Sequence, residues 1–260
     1  MLRALIFDVD GTLADTERDG HRVAFNQAFA DAGLDWHWRA ERYGELLRVA
    51  GGRERIRHFI ESDAAHVAVA DREALAHRLH AAKTAHYVRM VNAGSVRLRP
   101  GVTRLLDEAR AAGLRLAIAT TTSRANIEAL LAHALSPAAR ASFEVIAGAE
   151  DAPRKKPDPQ VYQVVLDALR ADPGECFAFE DSAAGLRACR ACRIPTIVTV
   201  NDYTRNQPFD GALAVVSDLG EPDRPAGVVA GARLQRGLVD VKQLRNWHAQ
   251  YMRADLRAAG

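Results

Sequence analysis

The chain has 260 residues, 48% of them hydrophobic and 26% charged, with a formal net charge of +2 at pH 7. That length is ample for a real core and for an enzyme of one or two domains, and the composition reads as an ordinary soluble globular protein, not a fibrous or disordered one. So small a net charge gives no general pull towards nucleic acid or a membrane surface, and no apolar stretch approaches the ~20 residues needed to span a bilayer. Cys176, Cys189 and Cys192 are an odd set. They fit reduced, buried thiols in a cytosol-like compartment better than a disulfide framework, and Cys189-x-x-Cys192 has no second pair to make a metal site. Only Met1 to Phe7 precede the first acid, too short a stretch for a signal peptide, so a cytoplasmic setting is expected, or a plastid stroma if a transit peptide has been removed.

The apolar run Leu5-Ile6-Phe7 predicts a first strand, followed at once by Asp8-Val9-Asp10-Gly11-Thr12. Residues two apart on a strand point to the same side, so Asp8 and Asp10 are expected to converge where it ends. Two adjacent carboxylates repel, and a hard, oxygen-loving cation such as Mg²⁺ relieves them while neutralising a bound phosphate. Residues 15–94 then read as a helical insert: Phe25, Phe29 and Leu34, and later Leu75, Leu79, Ala82, Tyr87 and Val91, fall at helical spacing, and Gly51-Gly52 forms a turn between helices. From residue 95 the texture alternates. A helix is expected over 102–112, a strand over 114–119, a helix over 124–134 and a strand over 143–147. A helix opened by Asp158-Pro159 runs to about residue 170, strands cover 176–179 and 196–200, and a helix lies between them. Residues 210–260 read as one strand and a tail helix without chemistry. The fold class is therefore α/β, a Rossmann-like parallel-sheet core of residues 1–14 and 95–260 interrupted by the helical insert.

Ligands of such sheets sit beyond the carboxyl ends of the strands, and the reactive side chains fall there. Asp8 is the expected nucleophile and Asp10 the proton carrier. Thr120 offers a hydroxyl, and the N–H groups of Thr121 and Thr122 approach a helix N-terminus, where anions are favoured. Lys156 supplies fixed positive charge. Asp181, with Glu180 beside it, completes a magnesium shell with the Asp8 carboxylate and the Asp10 carbonyl. Each stretch alone has an ordinary structural reading as a turn, a polar strand end, a solvated loop or a helix cap. Their placement at one rim favours the chemical reading. For the nine histidines no metal spacing is found, and they read as surface or core.

Asp8-x-Asp10-Gly11-Thr12, Thr120 after an apolar strand, Lys156-Pro157 and Glu180-Asp181-Ser182 together resemble the haloacid dehalogenase-like phosphatase superfamily. In that family the second Asp separates phosphoryl-transfer members from dehalogenases, which implies phosphate chemistry at Asp10. The resemblance also implies that the helical insert is a cap that closes over the site and reads the substrate. Within the superfamily the chain resembles the CbbY-type sugar-bisphosphate phosphatases and, more distantly, β-phosphoglucomutase. Thr16-Glu17, Asp35-Trp36-His37-Trp38, Gly51-Gly52-Arg53-Glu54-Arg55-Ile56 and Ala119-Thr120-Thr121-Thr122-Ser123 carry that likeness. It implies hydrolysis of xylulose 1,5-bisphosphate, a Rubisco inhibitor, and a housekeeping role in the Calvin cycle. Arg18-Asp19-Gly20-His21 is one residue longer than in some relatives.

A phosphate that is not being cleaved must be held by the cap. Arg53, Arg55 and Lys83 are the candidates, with Gly51 and Gly52 allowing a close backbone approach and Glu17 placed to bond sugar hydroxyls. The alternatives are a phosphosugar mutase, a phosphoglycolate-type phosphatase or a non-catalytic phosphosugar sensor. The expected partner is a small sugar phosphate, and the expected state is a monomer.

Overall fold

Ala4–Phe7 (β1) is apolar and buried at every position, the mark of a strand covered on both faces, and it lies within a seven-stranded sheet. The computed structural model describes residues 1–64 and 71–258. Across the sheet the strands run Phe143–Ala147 (β3), Arg115–Ala119 (β2), β1, Cys176–Glu180 (β4), Thr196–Thr199 (β5), Ala214–Val216 (β6) and Val228–Gly231 (β7). All neighbours are parallel except β6 and β7. Alternation divides the strand side chains between two layers. Leu5, Phe7, Leu116, Ile118, Phe177 and Phe179 face one side, whereas Ala4, Ile6, Ala117, Ala119, Cys176 and Ala178 face the other.

Between β1 and β2 the chain leaves the sheet to build a π-helical turn, Glu17–His21, and four helices: Arg22–Asp31 (α1), Ala40–Leu46 (α2), Gly52–Ser62 (α3) and Arg72–Asn92 (α4). These enclose a core of their own, in which Trp38 packs against Phe25, Phe29, Tyr43 and Phe59. A π turn takes one more residue than an α turn. The N–H of His21 bonds to the Thr16 carbonyl at 2.7 Å, so the long Arg18-to-His21 run is absorbed within the turn. The chain returns beside its exit: Ala14 bridges Leu98, and the Arg99 N–H donates to the Leu13 carbonyl at 2.9 Å.

The core helices follow as Val102–Ala111 (α5), Arg124–Ala134 (α6), Pro137–Arg140 (α7), Gln160–Leu169 (α8), Ala183–Ala191 (α9) and Val241–Ala258 (α10). Leu105, Leu106, Ile127, Leu130, Leu244 and Trp247 cover one face of the sheet, and Val161, Val165, Ala188 and Cys189 the other. The three thiols are free and buried. The region after residue 210 holds two strands where one was expected. The edge strand β7 is exposed at all four positions, so no in–out alternation marks it in the sequence. No described helix is long and apolar enough to cross a membrane.

Candidate active site

Asp8 extends the β1 ladder by one step, its N–H donating to the Phe179 carbonyl at 3.0 Å. Its side chain thereby emerges at the carboxyl end of the sheet. Lys156, in the loop after β3, reaches over from the side: its ammonium donates to Asp8 Oδ1 at 2.7 Å and to the Ala119 carbonyl at 2.9 Å, and lies 2.6 Å from Glu180 Oε1. Burial works against that charge, but Asp8 and Glu180 outweigh it and hold the lysine above its ordinary range. The Asp8 carboxyl is pushed up to about 7 by burial, with Glu180 and Asp10 adding to the shift against the pull of Lys156.

Asp10 is fixed from the helical segment. Thr16 Oγ1 donates to Asp10 Oδ1 at 2.5 Å, and His21 Nε2 lies 2.9 Å from the same oxygen. Behind the ring, Lys83 Nζ lies 2.8 Å from His21 Nδ1. An ammonium can only donate, so Nδ1 accepts and Nε2 donates to Asp10. Burial alone would raise the Asp10 carboxyl, yet the ring of His21 and the Thr16 hydroxyl hold it well below the usual carboxylate range. Burial lowers Lys83 to about 8.

Asp8, Glu180 and Asp181 bring carboxylate oxygens within 4.8 Å of one another. Burial and the neighbouring charges of Asp8 and Glu180 push the Asp181 carboxyl well above its normal range, the sign of acids crowded together without enough countercharge. A hard dication bound by oxygens would relieve that crowding, and the donor set suits Mg²⁺. Two glycines keep the space open. A Cβ at Gly11 would collide with the Asp181 carboxylate, and one at Gly185 with that of Glu180. Glu180 also accepts from the buried Tyr162 hydroxyl, and Asn201 Nδ2 donates to Asp181 Oδ2 at 2.7 Å.

The cavity above these groups is about 450 Å³ and is walled by Asp8, Asp10, Thr120, Thr121, Lys156, Glu180 and Asp181 from the sheet side and by Glu17, Gly51 and Arg55 from the helical segment. Other residues expected from the sequence lie elsewhere. Arg53 is half exposed, 3.7 Å from Glu73, and does not line the cavity. Gly52 faces His80. Lys83 stands behind His21, with no face on the cavity, so it cannot grip a phosphate there directly. The Thr122 N–H turns back to Thr120 Oγ1 at 3.4 Å, and Thr122 is outside the lining as well. Arg55 lines the cavity, but its guanidinium is engaged with the Leu46 and Val49 carbonyls and the Tyr43 hydroxyl, each at 3.2 Å. Tyr43 in turn donates to Glu17.

Several residues of the site were not singled out from the sequence. His21 was read as surface or core. Its one distinguishing signal, a place soon after Thr16-Glu17, acquires meaning only through the π turn. Arg48, just after α2, and Arg187, on α9, line the cavity, are exposed and have no ion-pair partner among the described residues.

A parallel α/β sheet with paired aspartates at the end of its first strand, a lysine facing them and an acidic pair at the end of β4 defines a haloacid dehalogenase-like hydrolase. The family model of the haloacid dehalogenase-like hydrolases matches residues 2–193, and the chain belongs to that family of enzymes. It is 47% identical over 248 residues to the plasmid-encoded protein CbbY of Cupriavidus necator, covering 95% of this chain and 97% of that one. The crystal structure of a CbbY variant from Rhodobacter sphaeroides in complex with xylulose-(1,5)bisphosphate is 42% identical and aligns with a TM-score of 0.76 over 84% of this chain and 95% of that one. The β-phosphoglucomutase of Clostridium difficile shares the fold, with a TM-score of 0.72 at 19% identity over 97% and 99% of the two chains.

Proposed function

We propose that this enzyme is a magnesium-dependent phosphatase of sugar bisphosphates, with xylulose 1,5-bisphosphate as the best candidate substrate and the Calvin cycle as its setting. The observation that carries the reading is the division of labour between two carboxylates. Asp8 faces Lys156 in a buried pocket, whereas Asp10 is aimed by Thr16 and His21. One suits a nucleophile and the other a proton carrier.

Asp8 attacks phosphorus and forms an aspartyl phosphate, while the departing sugar alkoxide takes a proton from Asp10, whose protonated form the negative phosphate beside it favours against the opposing pull of His21 and Thr16. Asp10, now a carboxylate, takes a proton from the water that attacks the aspartyl phosphate. The bond to Asp8 breaks and inorganic phosphate leaves. Lys156 balances charge on Asp8 and on the phosphoryl group throughout. Asp8, Glu180, Asp181 and the Asp10 carbonyl would hold Mg²⁺, which when bound supplies further charge neutralisation at phosphate.

The helical segment serves as a cap whose Glu17 faces the sugar, and the exposed cations Arg48 and Arg187 at the cavity wall suit a second phosphate. The kinship with CbbY supports the xylulose 1,5-bisphosphate assignment. We place the enzyme in the cytoplasm, or in a plastid stroma if a transit peptide has been removed, as a monomer whose partner is its small-molecule substrate.

Phosphate release from a panel of sugar mono- and bisphosphates, with and without Mg²⁺, tests the reading. Preferential release from xylulose 1,5-bisphosphate is expected. Isomerisation of a phosphosugar without phosphate release would assign a mutase, and binding without turnover a sensor.

A further inference from the structure

We propose that Arg99 is a positioning residue that sets the cation-binding geometry of the site, by tying the backbone of the Asp10–Gly11 loop to the backbone that carries Asn201 and, through it, Asp181. The inference rests on the magnesium reading above. Arg99 lies where the chain re-enters the sheet, beside the Ala14–Leu98 bridge. Its guanidinium makes no ion pair among the described residues. Instead Nη1 donates to the carbonyls of Gly11 and Thr199, the latter at 3.1 Å, and Nη2 to those of Val200 at 2.7 Å and Ser217 at 2.6 Å. Four carbonyls from three separate segments thus share one planar cation. Burial disfavours that charge and lowers its proton affinity, so this interior position calls for the convergent carbonyls.

The segments joined are those that frame the acidic cluster. Gly11 follows Asp10, whose carbonyl is a proposed magnesium ligand. Val200 precedes Asn201, whose Oδ1 accepts from the Tyr203 N–H at 2.9 Å, which turns Nδ2 towards Asp181 Oδ2 at 2.7 Å. A Cβ at Gly11 would strike both Asp181 and Asn201, so loop, amide and carboxylate are in direct contact. Arg99 spans the same junction from behind. A lysine could not reproduce this, because an ammonium lacks the rigid fork that addresses carbonyls on two sides at once. A residue that only held the hinge would affect stability and leave the acidic cluster as it was.

The test is Mn²⁺ binding to the full chain, free of phosphate, followed by the loss of the free-ion paramagnetic resonance signal, with melting temperatures taken on the same samples. Arg99→Lys is expected to weaken Mn²⁺ binding about tenfold, within the range seen when supports of metal ligands are removed, with a melting temperature far enough above that of the binding assay for the protein to be fully folded there. Asn201→Ala breaks the last link while leaving the guanidinium in place, and is expected to weaken binding to a similar degree. It carries the test even if Arg99→Lys does not fold. Binding within twofold of wild type in either folded variant overturns the inference. A wild-type chain that binds no Mn²⁺ overturns the magnesium reading itself, and this inference with it.

Discussion

Lys155 Nζ lies 3.0 Å from Glu54 Oε2, joining the loop after β3 to the first turn of α3, while the very next residue, Lys156, holds Asp8 at 2.7 Å. The loop that carries the countercharge of Asp8 is therefore also a tether for the helical segment. Both partners of the Lys155–Glu54 pair are partly exposed, at 22% and 30%, so solvent screens it and about 1 kcal/mol is a fair upper figure. Glu54→Gln and Lys155→Met should each raise KM for the bisphosphate up to about fivefold with kcat little changed, and the double variant should be no worse than either single one. High salt, which also screens the contacts to phosphate, should raise KM in wild type and variants alike and narrow the difference between them. Steady-state kinetics at low and high salt check this, and an unaltered KM in both variants would remove the tether from the account.

Asp8→Asn keeps the shape of the side chain and removes the charge of the oxygen proposed to attack. Turnover is expected to fall at least about a thousandfold, since loss of a nucleophile removes the whole covalent route, while the circular dichroism spectrum stays that of the wild type. Residual activity above a hundredth of wild type, measured as phosphate release after thorough purification, would sink the aspartyl-phosphate mechanism.

The parts of the site that a reader of the sequence could assemble are those placed by the sheet. Asp8, Thr120, Glu180 and Asp181 lie at or just beyond strand ends, and a parallel sheet collects all such ends at one rim, so their strand assignments alone bring them together, whereas Lys156 is carried to that rim by the loop after β3. The residues drawn from the helical segment were not legible in that way. His21 meets Lys83 across 62 positions of sequence, a contact decided by how α4 packs against the π turn. Arg53 and Arg55 are two residues apart, about 200° around a helix, so their opposite fates follow from the orientation of α3 and not from their charge. Arg187 is one of two arginines on α9 and gains its meaning from α9 starting beside Asp181. Exposed β7 buries too little to leave a pattern.

His80 gives a pH signature. Burial, with the nearby charges of Lys83 and Lys155 adding, lowers its ring from 6.5 to about 4 in the folded chain. Between those values the unfolded chain binds the extra proton and the folded chain does not, so stability rises with pH through this window and is lost as pH falls from 6.5 towards 4. The full effect is on the order of 3.5 kcal/mol, at about 1.4 kcal/mol for each pKa unit. His80→Gln should flatten the urea-midpoint profile between pH 4 and 6.5 relative to wild type, with the two curves parallel above pH 7. Profiles that stay parallel down to pH 4 would show that His80 titrates normally.

Arg48 and Arg187 both line the cavity, one from the helical segment and one from the core, and neither is paired among the described residues. If they hold the phosphate that is not cleaved, replacing either by Ala should lower kcat/KM for a sugar bisphosphate by roughly tenfold, the effect of losing one charge-assisted contact at an exposed wall. Hydrolysis of a small phosphate ester with no second phosphate should change less than twofold. Because binding energy from the distant phosphate can assist closure and chemistry, kcat is expected to fall together with affinity for the bisphosphate. Arg53→Ala, on the exposed side beside Glu73, serves as the control and should leave both substrates unaffected. Both esters must be assayed on the same preparations. Equal losses on the two substrates in Arg48→Ala and Arg187→Ala would mean that these arginines support the fold of the cavity wall, and the preference for a bisphosphate would then have to come from other groups.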